Sequence, residues 1–421
     1  MSLTETGHAL LPVFSEMQRS GMPAHRPYFE NLRDEMTDEM ARIGSRISHR
    51  YFGDRPFNPK SPKHVGALLR RRGLEPLKRT AKGMPSTGKD SIEYLRYEDP
   101  AIEAVFDWRE RQHVRDSFCK PILARIPPEE EIYPVRCQIK PTRTATRRLA
   151  ASEPNLLNIP TRTALGRRVR EGFRCVEGEV FGAWDLSQIE LRVAAHVSQD
   201  EVLCRYFQEG RDVHTETAAQ LFGVDVEAVT KEQRYMAKTA GFGRLYGQGA
   251  HGMRILLWKE GLVDWTEKQC AKLIRGWLEI HSGIAEYMEG VERRATEMGY
   301  VEDLFGMRRY LPGIWSPDRG VRAEAARIAV NHTIQGTAQG MIQSSMVWLR
   351  EPISDLQEAG WDICWALQIH DELMFRFPPQ LWEMLDELIT EALTRHCGIR
   401  LRVPVEVGGI MAQTWAGLGG E

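Results

Sequence analysis

Val180-Phe-Gly-Ala-Trp-Asp185-Leu-Ser-Gln-Ile-Glu190-Leu-Arg192 is the stretch that decides how the middle of this chain folds. Its apolar residues predict a buried strand that ends at Asp185, and Ser187 is placed to open a helix. Functional side chains gather at such strand ends, so Asp185 is a candidate for chemistry, with an ordinary turn aspartate as the alternative. Glu190 also has two interpretations, because Ser187-x-x-Glu190 matches a capping box.

A second group of carboxylates lies at a turn near the C-terminus. Apolar residues alternate at positions 363, 365, 367 and 369 and again at 373, 375 and 377. This pattern predicts a β-hairpin with His370-Asp371-Glu372 at its tip, although these residue types are also common in solvated turns. Two unit charges about 4 Å apart repel by roughly 4 kcal/mol at an effective dielectric near 20. If Asp185 and Asp371 converge, they therefore need cations between them, and Mg²⁺ prefers such carboxylates together with phosphates.

Four residues spaced by four, Arg234, Lys238, Phe242 and Tyr246, form one stripe on a predicted helix. Two cations followed by two aromatic rings would suit a triphosphate at one end and a base at the other. The alternative is an ordinary, partly packed helix face. Glycines at 241 and 243 each cost a helix about 1 kcal/mol, which makes sense if the backbone bends there or something approaches closely.

Composition limits the classes of protein that remain. A length of 421 residues predicts two or three lobes, and 42% apolar with 27% charged residues is ordinary for a globular protein. No membrane span or secretory signal is recognisable, which predicts a cytoplasmic protein. The seven cysteines are scattered, which argues against a zinc site or a disulfide framework.

Two basic segments stand out in a chain whose net charge is only −2. Residues 60–89 contain nine Lys and Arg against one Glu, and residues 134–174 contain ten against two. They predict contact with a polyanion, although each segment alone is equally consistent with a solvated helix face. Two phosphate-binding patterns are rejected: residues 83–89 resemble a P-loop but continue into Asp90, and residues 247–252 follow a helix instead of a strand.

Together these motifs resemble the polymerase portion of family A DNA polymerases, the bacterial DNA polymerase I group. The stretches from Asp185 to Arg192 and from His370 to Glu372 resemble its two metal motifs, and the stripe from Arg234 resembles its nucleotide-binding helix. Arg327-x-x-x-Asn331-x-x-x-Gln335 resembles its template- and primer-contacting helix. The thumb of the family is matched by Phe57-Asn-Pro and Pro85-Ser-Thr, and the order of all motifs agrees from about Leu10 to Trp415.

The resemblance implies an α+β fold shaped like a right hand, with an antiparallel palm sheet and mainly helical thumb and fingers. It places the N-terminal helical region with the thumb at 1–133, the palm at 134–200 and 316–421, and the fingers at 201–315. It implies template-directed addition of deoxynucleotides to a primer 3′ end, with release of pyrophosphate, in DNA replication or repair. The expected partners are primer–template DNA and dNTPs, with two Mg²⁺ ions, for a monomer in a bacterial or phage-infected cell.

The resemblance also implies roles for individual residues. Asp185, Asp371 and the backbone carbonyl of Leu186 would bind the metal ions, and Lys238 and Glu372 would join the two aspartates in catalysis. The residues expected to contact the nucleotide are Arg234, Lys238, Phe242, Tyr246, Glu190, His214, Gln188 and Ser187. Glu190 would select deoxyribose, which does not exclude its capping role. The residues expected to contact DNA are Arg148, Gln335, Arg327, Asn331, His370, Asn155 and Tyr246.

The chain departs from the family pattern at several positions. Gly241 replaces a common asparagine, Leu186 a tyrosine, Arg147 a glycine, and the alanines at 150 and 151 a pair of serines. The match begins close to Met1, which predicts a polymerase without the proofreading exonuclease domain and leaves open a separate exonuclease or processivity factor. A single-subunit RNA polymerase is the rival enzyme, disfavoured by Glu190. An inactive nucleic-acid-binding module is the rival from another class, disfavoured by the intact aspartates.

Overall fold

The computed structural model describes residues 3–80, 82–161, 163–245 and 247–419. It divides into two compact units. The first comprises Met1–Met17, Ile139–Ala150 and Phe181–Met411, and the second comprises Gln18–Gln138, Ala151–Val180 and Ala412–Glu421. None of the helices in the described ranges is both long and apolar enough to cross a membrane.

The described residues form α-helices and short β-strands in alternation. The helices are α1 (Leu3–Ser20), α2 (Arg26–Phe52), α3 (Pro62–Arg72), α4 (Lys89–Ile92), α5 (Pro100–His113), α6 (Lys120–Leu123), α7 (Ala164–Glu171), α8 (Ile189–Ser198), α9 (Glu201–Gln208), α10 (Val213–Phe222), α11 (Lys231–Leu245), α12 (Ala250–Lys259), α13 (Glu267–Ile280), α14 (Ser282–Met298), α15 (Arg319–Glu358) and α16 (Trp382–Arg395). The strands are β1 (Met22–His25), β2 (Ile132–Val135), β3 (Gln138–Lys140), β4 (Ala150–Ser152), β5 (Val180–Leu186), β6 (Tyr300–Glu302), β7 (Arg308–Tyr310), β8 (Cys364–Ile369), β9 (Glu372–Phe377) and β10 (Val407–Ala412).

A four-stranded sheet in the order β10-β5-β9-β8 is the centre of the first unit. Its core is aromatic: the buried Trp184 ring lies 6.0 Å from Phe375 and 5.2 Å from Trp382, measured between ring centroids. Gly182 is required beside these rings, because a Cβ there would lie 2.5 Å from the ring of Phe377. The dense packing holds β5 and the β8–β9 hairpin rigidly at the end where Asp185 lies.

Helix α15 carries a row of buried small residues along which the β6–β7 hairpin packs. Asp318 caps its N-terminus by accepting hydrogen bonds from two backbone amides of the first turn. A Cβ added to Gly336 would lie 2.6 Å from Asp303, and one added to Gly340 would lie 2.2 Å from Phe305. The turn between β6 and β7 therefore approaches the backbone of α15 more closely than any larger side chain would allow.

Helices α10–α14 also belong to the first unit. Thr230 and Gln233 bond reciprocally to each other's backbone amides at the start of α11, which is a capping box. A Cβ at Gly241 would lie 2.7 Å from the buried ring of Trp277, so the close approach predicted at this glycine is confirmed. Helix α14 ends at Gly299, whose φ of 75° is the left-handed C-cap conformation that glycine favours.

The second unit has its own core. Strands β1 and β2 pair antiparallel, and helices α2, α3 and α5 bury a cluster that includes Ile47, Leu68 and Val105. A second cluster stacks Phe29 against Phe173 and Phe173 against Trp415, both pairs edge to face with centroids 5.3 Å apart.

Helices and small antiparallel sheets in one chain confirm the predicted α+β class. The strand–helix unit at Asp185 and the hairpin at His370-Asp371 are also confirmed. Gly21, with φ 63°, and strand β1 separate α1 from α2. The division into thumb, palm and fingers segments stays a prediction.

Candidate active site

The predicted pair of aspartates meets at one end of the four-stranded sheet. Strand β5 lies beside β9, and the backbone amide of Leu186 donates to the carbonyl oxygen of Asp371 over 3.2 Å. At the hairpin tip, His370 has φ 52°, a left-handed conformation that closes the turn tightly. This backbone geometry puts Asp185, near the end of β5, beside Asp371 in the turn that joins β8 to β9.

The two aspartates are close enough for the charge of Asp371 to act on Asp185. Burial of the carboxyl group and, to a smaller extent, the charge of Asp371 raise the pKa of Asp185 to about 6. As a whole residue, Asp185 is nevertheless exposed to solvent at the end of β5. Burial also raises the pKa of Asp371, against the charge of Arg148 and a hydrogen bond from Gln339. Both carboxylates are thus held where their negative charge is poorly compensated.

Such a donor set fits a hard divalent cation. In the ranges that the structure describes, no group of three or more His, Cys, Asp or Glu side chains could hold a metal ion. Two neighbouring aspartates suit Mg²⁺, because this ion is usually bound by one or two carboxylates and completes its coordination with water and substrate phosphates.

Glu190 pairs with Arg148 instead of capping its own helix. Helix α8 begins after Gln188, which has φ 51° and makes no side-chain cap bond, so the capping-box interpretation of Ser187 and Glu190 is wrong. Arg148 Nη2 donates to Glu190 Oε1 over 2.5 Å, and Glu190 is only 5% exposed. Burial and the charge of Asp371 raise the pKa of Glu190 to about 7, although Arg148 opposes the shift.

Helix α11 presents two cations of the predicted stripe. Arg234 donates to both carboxylate oxygens of Asp212, over 3.1 and 2.7 Å. Burial favours protonation of Asp212, but hydrogen bonds from Arg234 and Thr215 hold its pKa well below the usual range. Lys238 lies half-buried one turn after Arg234. The side chain of Phe242 and all of Tyr246 lie outside the described residues.

His214 lies near these cations. Burial, with smaller effects from the charges of Lys238 and Arg234, lowers the pKa of His214 to about 4, and the charge of Asp212 acts in the opposite direction. A neutral imidazole at pH 7 can donate one hydrogen bond without adding positive charge. Arg234, Lys238 and His214 are therefore close enough for their charges to interact, and their shared role in binding a nucleotide stays a prediction.

The predicted DNA-contacting residues of α15 share one face of that helix. Arg327 is exposed, Asn331 is half-buried and Gln335 is 8% exposed, so burial increases along the helix. The Oδ1 atom of Asn331 is buried without a hydrogen-bond partner in the described part of the chain. Gln339 continues the same face, donating to the carbonyl oxygen of His370 over 2.6 Å and to Asp371 Oδ1 over 3.2 Å.

The remaining predicted site residues lie in three places: at Ser187 after β5, at the tip of the β8–β9 hairpin, and at Asn155. The backbone of Ser187 is fixed at both ends, since its amide donates to the Glu406 carbonyl over 2.9 Å and its carbonyl accepts from Arg192 over 2.8 Å. At the hairpin, the side chain of His370 is exposed and Glu372 is half-buried as the first residue of β9. Asn155 belongs to the second unit.

Sequence reasoning missed Gln339 and Arg192. Gln339 could have been found from its spacing, because it lies four residues after Gln335 on the same helix face. Arg192 is 2% exposed and bonds the carbonyl oxygens of Ser187 and Pro404, a role that no local pattern signals.

The four-stranded sheet with Asp185 and Asp371 at one end, the cations of helix α11 and the amides of helix α15 are the features expected of a nucleic-acid polymerase. A family model, DNA polymerase family A, matches residues 26–417. The chain therefore belongs to DNA polymerase family A.

Individual relatives agree with this membership. The chain is 36% identical over 406 residues to the thermostable DNA polymerase I of Thermus filiformis, covering 96% of this chain and 47% of that protein. It is 34% identical over 412 residues to DNA polymerase I of Pseudomonas aeruginosa, covering 96% of this chain and 43% of that protein. The chain thus spans about half the length of the curated relatives it matches.

A solved structure is similar as well. The POL domain of Pol1 from M. smegmatis, in complex with DNA primer–template and dNTP, superposes with a TM-score of 0.86 and 28% identity. The match covers 98% of this chain and 70% of that one. The predicted α+β fold with an antiparallel palm sheet and helical thumb and fingers is confirmed.

Proposed function

We propose that this protein is a template-directed DNA polymerase that adds deoxynucleotides to a primer 3′ end and releases pyrophosphate, in replication or repair. The observation that carries the proposal is the meeting of Asp185 and Asp371 at one end of the sheet, where burial and mutual repulsion raise the pKa of Asp185 to about 6. Primer–template DNA and dNTPs are the proposed substrates. We assign the protein to the cytoplasm and treat it as a monomer.

Asp185, Asp371 and the carbonyl oxygen of Leu186 would hold two Mg²⁺ ions. When bound, the ions would lower the pKa of the primer 3′-hydroxyl and neutralise charge on the reacting phosphates. The rigid aromatic packing beneath β5 and the bond from Leu186 to the hairpin tip keep the two carboxylates at a constant separation. Glu372 would contribute to the same site from the start of β9.

Arg234 and Lys238 would bind the triphosphate. In the structure Asp212 accepts hydrogen bonds from Nε and Nη2 of Arg234, so a triphosphate would compete with this carboxylate for that edge of the guanidinium. Lys238 would donate a proton to the leaving pyrophosphate. His214 stays neutral at physiological pH and would donate an N–H to the phosphates, while Ser187 and Gln188 would line the nucleotide site.

Glu190 would exclude ribonucleotides. Its carboxylate is 5% exposed and held by Arg148, so a 2′-hydroxyl would meet a fixed, buried group instead of a mobile side chain. From the family resemblance alone, Phe242 would stack on the incoming nucleotide and Tyr246 would lie near the templating base.

Amide and guanidinium groups would contact the duplex in the minor groove. Arg148 and Gln335 would donate to acceptors that every base pair presents there, which tests base-pair shape without reading sequence. Arg327, Asn331, His370 and Asn155 would contact the template and primer strands. In this assignment residues 1–133 include the thumb, 134–200 and 316–421 form the palm, and 201–315 form the fingers.

Primer extension with Mg²⁺ tests the proposal. Wild-type protein should extend a primer, while Asp185→Ala and Asp371→Ala should lose roughly a thousandfold in rate, equivalent to about 4 kcal/mol of transition-state stabilisation. Asp362→Ala is the matched control, because Asp362 is an exposed aspartate just before β8, at the end of the hairpin away from its tip. An inactive wild type, or folded aspartate variants that still extend the primer, would refute the assignment.

A further inference from the structure

Arg147 has a conformation that a residue of its type rarely adopts. Its φ is 61°, in the left-handed region that favours glycine, and its side chain is only 6% exposed. Such a backbone costs roughly 1 kcal/mol for a residue with a Cβ, and burying a guanidinium adds a desolvation cost. Surrounding contacts must therefore hold Arg147 in place.

Those contacts come from the β6–β7 turn and from helix α15. Arg147 Nη2 lies 3.1 Å from Oδ1 of Asp303, whose side chain is fully buried. The guanidinium lies over the Phe305 ring, 5.4 Å from its centroid, and Gln343 Nε2 donates to the Arg147 carbonyl over 3.2 Å. Backbone and side chain of Arg147 are thus both anchored.

The partner of Arg147 is itself fixed. Asp303 Oδ1 also accepts hydrogen bonds from the backbone amides of Phe305, over 2.9 Å, and Met307, over 3.0 Å. The Asp303 and Phe305 side chains fill the space left by Gly336 and Gly340 on α15, the helix that carries the proposed DNA-contacting amides. The ion pair therefore ties the turn at 144–148 to a rigid part of the fold.

The residue that follows Arg147 contacts Glu190. Thr144 Oγ1 donates to the Arg148 carbonyl over 2.5 Å, and Arg148 Nη2 donates to Glu190 Oε1 over 2.5 Å. We propose that Arg147 is a positioning residue: its buried ion pair with Asp303 fixes the turn from which Arg148 holds Glu190 against the sugar of the incoming nucleotide. This inference rests on the proposed polymerase function and deepens it.

The ion pair is not simply a stabilising contact. Arg147 Nε and Asp303 Oδ2 are buried and have no hydrogen-bond partner in the described residues. A buried ion pair with unsatisfied atoms contributes little net stability compared with apolar residues of the same volume. Removing one partner is nevertheless destabilising, because the other charge is then buried without compensation. The main effect of the Arg147–Asp303 ion pair is therefore to fix the position of Arg148.

The test compares incorporation of a dNTP and the matching rNTP by steady-state kcat and KM. Arg147→Gly removes the ion pair but suits the left-handed backbone. Asp303→Asn removes the charge but keeps the Oδ1 acceptor for the amides at 305 and 307. Each should lower the ratio of deoxy to ribo kcat/KM by about tenfold, a coupling of the size usual between linked sites. The loss should appear mainly as a lower ribonucleotide KM, and the double variant should be no worse than either single one.

Two further variants complete the experiment. Arg147→Lys keeps the charge and should retain most of the discrimination. Arg308→Met removes the exposed ion pair with Glu302 on the same hairpin and should leave the ratio unchanged. An unchanged ratio in active, folded Asp303→Asn protein, or an equal loss in Arg308→Met, would overturn the positioning role alone. A wild type that incorporates no nucleotide would instead overturn the proposed function.

Discussion

Replacing Glu190 with glutamine should stabilise the metal-free protein at pH 8 and should have a smaller effect at pH 4. The carboxylate is 5% exposed, and its Oε2 atom has no hydrogen-bond partner in the described residues. Burial and the charge of Asp371 together outweigh the contact with Arg148, so the pKa of Glu190 rises to about 7. Glutamine keeps an oxygen acceptor for Arg148 Nη2 and removes the buried charge.

The magnitude follows from the difference between the folded and unfolded states. In the unfolded chain the Glu190 carboxyl loses its proton near its usual pKa of 4.5, whereas in the folded protein it keeps the proton up to about pH 7. The contribution of this group to stability is therefore complete below pH 4.5 and is lost as the pH rises through 7. At about 1.4 kcal/mol per pH unit, the loss amounts to roughly 3 kcal/mol.

The assay is thermal unfolding of wild type and Glu190→Gln in EDTA from pH 4 to pH 9. The difference between the two melting temperatures should grow by a few degrees between pH 4.5 and pH 7 and then stay constant. Glu297→Gln is the control, since Glu297 is exposed on α14 and the replacement should give a small, flat difference. A pH-independent difference for Glu190→Gln would show that Arg148 compensates the Glu190 charge fully, against the raised pKa.

Three further predictions concern the other parts of the site. Gly241→Asn, which introduces the residue common in the family, should destabilise the protein by about 1–3 kcal/mol, because its Cβ would lie 2.7 Å from the buried Trp277 ring; urea unfolding measures this loss. His214 should titrate near pH 4 in an NMR experiment, and a midpoint above 6 would contradict its burial. Millimolar Mg²⁺ should raise the melting temperature of the wild type but not of an Asp185→Asn, Asp371→Asn double variant, and an equal rise in both would place the ion elsewhere.

Local sequence patterns were enough to predict the strands that carry the two aspartates. Alternating apolar residues predicted β8 and β9 with Asp371 at the tip, and the apolar run before Asp185 predicted β5. These strand predictions succeed because successive side chains of a strand point to opposite faces. Burial of one face therefore gives alternating apolar residues that can be read in the sequence. Strand β1 between α1 and α2 was not predicted, because its four residues are too few to show a period of two.

Contacts between distant segments were decided by packing. The capping box at Ser187 was locally plausible, but Gln188 adopts a left-handed conformation and Glu190 pairs with Arg148, 42 residues away. Arg147 meets Asp303 across 156 residues of sequence, in a place where only the glycines of α15 leave room.

The sequence by itself determined the two aspartates, the cationic helix and the family resemblance, because each depends on residue types at short, regular spacing. Tertiary structure alone decided which charges meet, which remain buried without compensation and which backbone is strained. Those properties depend on the distance between segments and on the exclusion of water, and neither is recorded in the order of neighbouring residues.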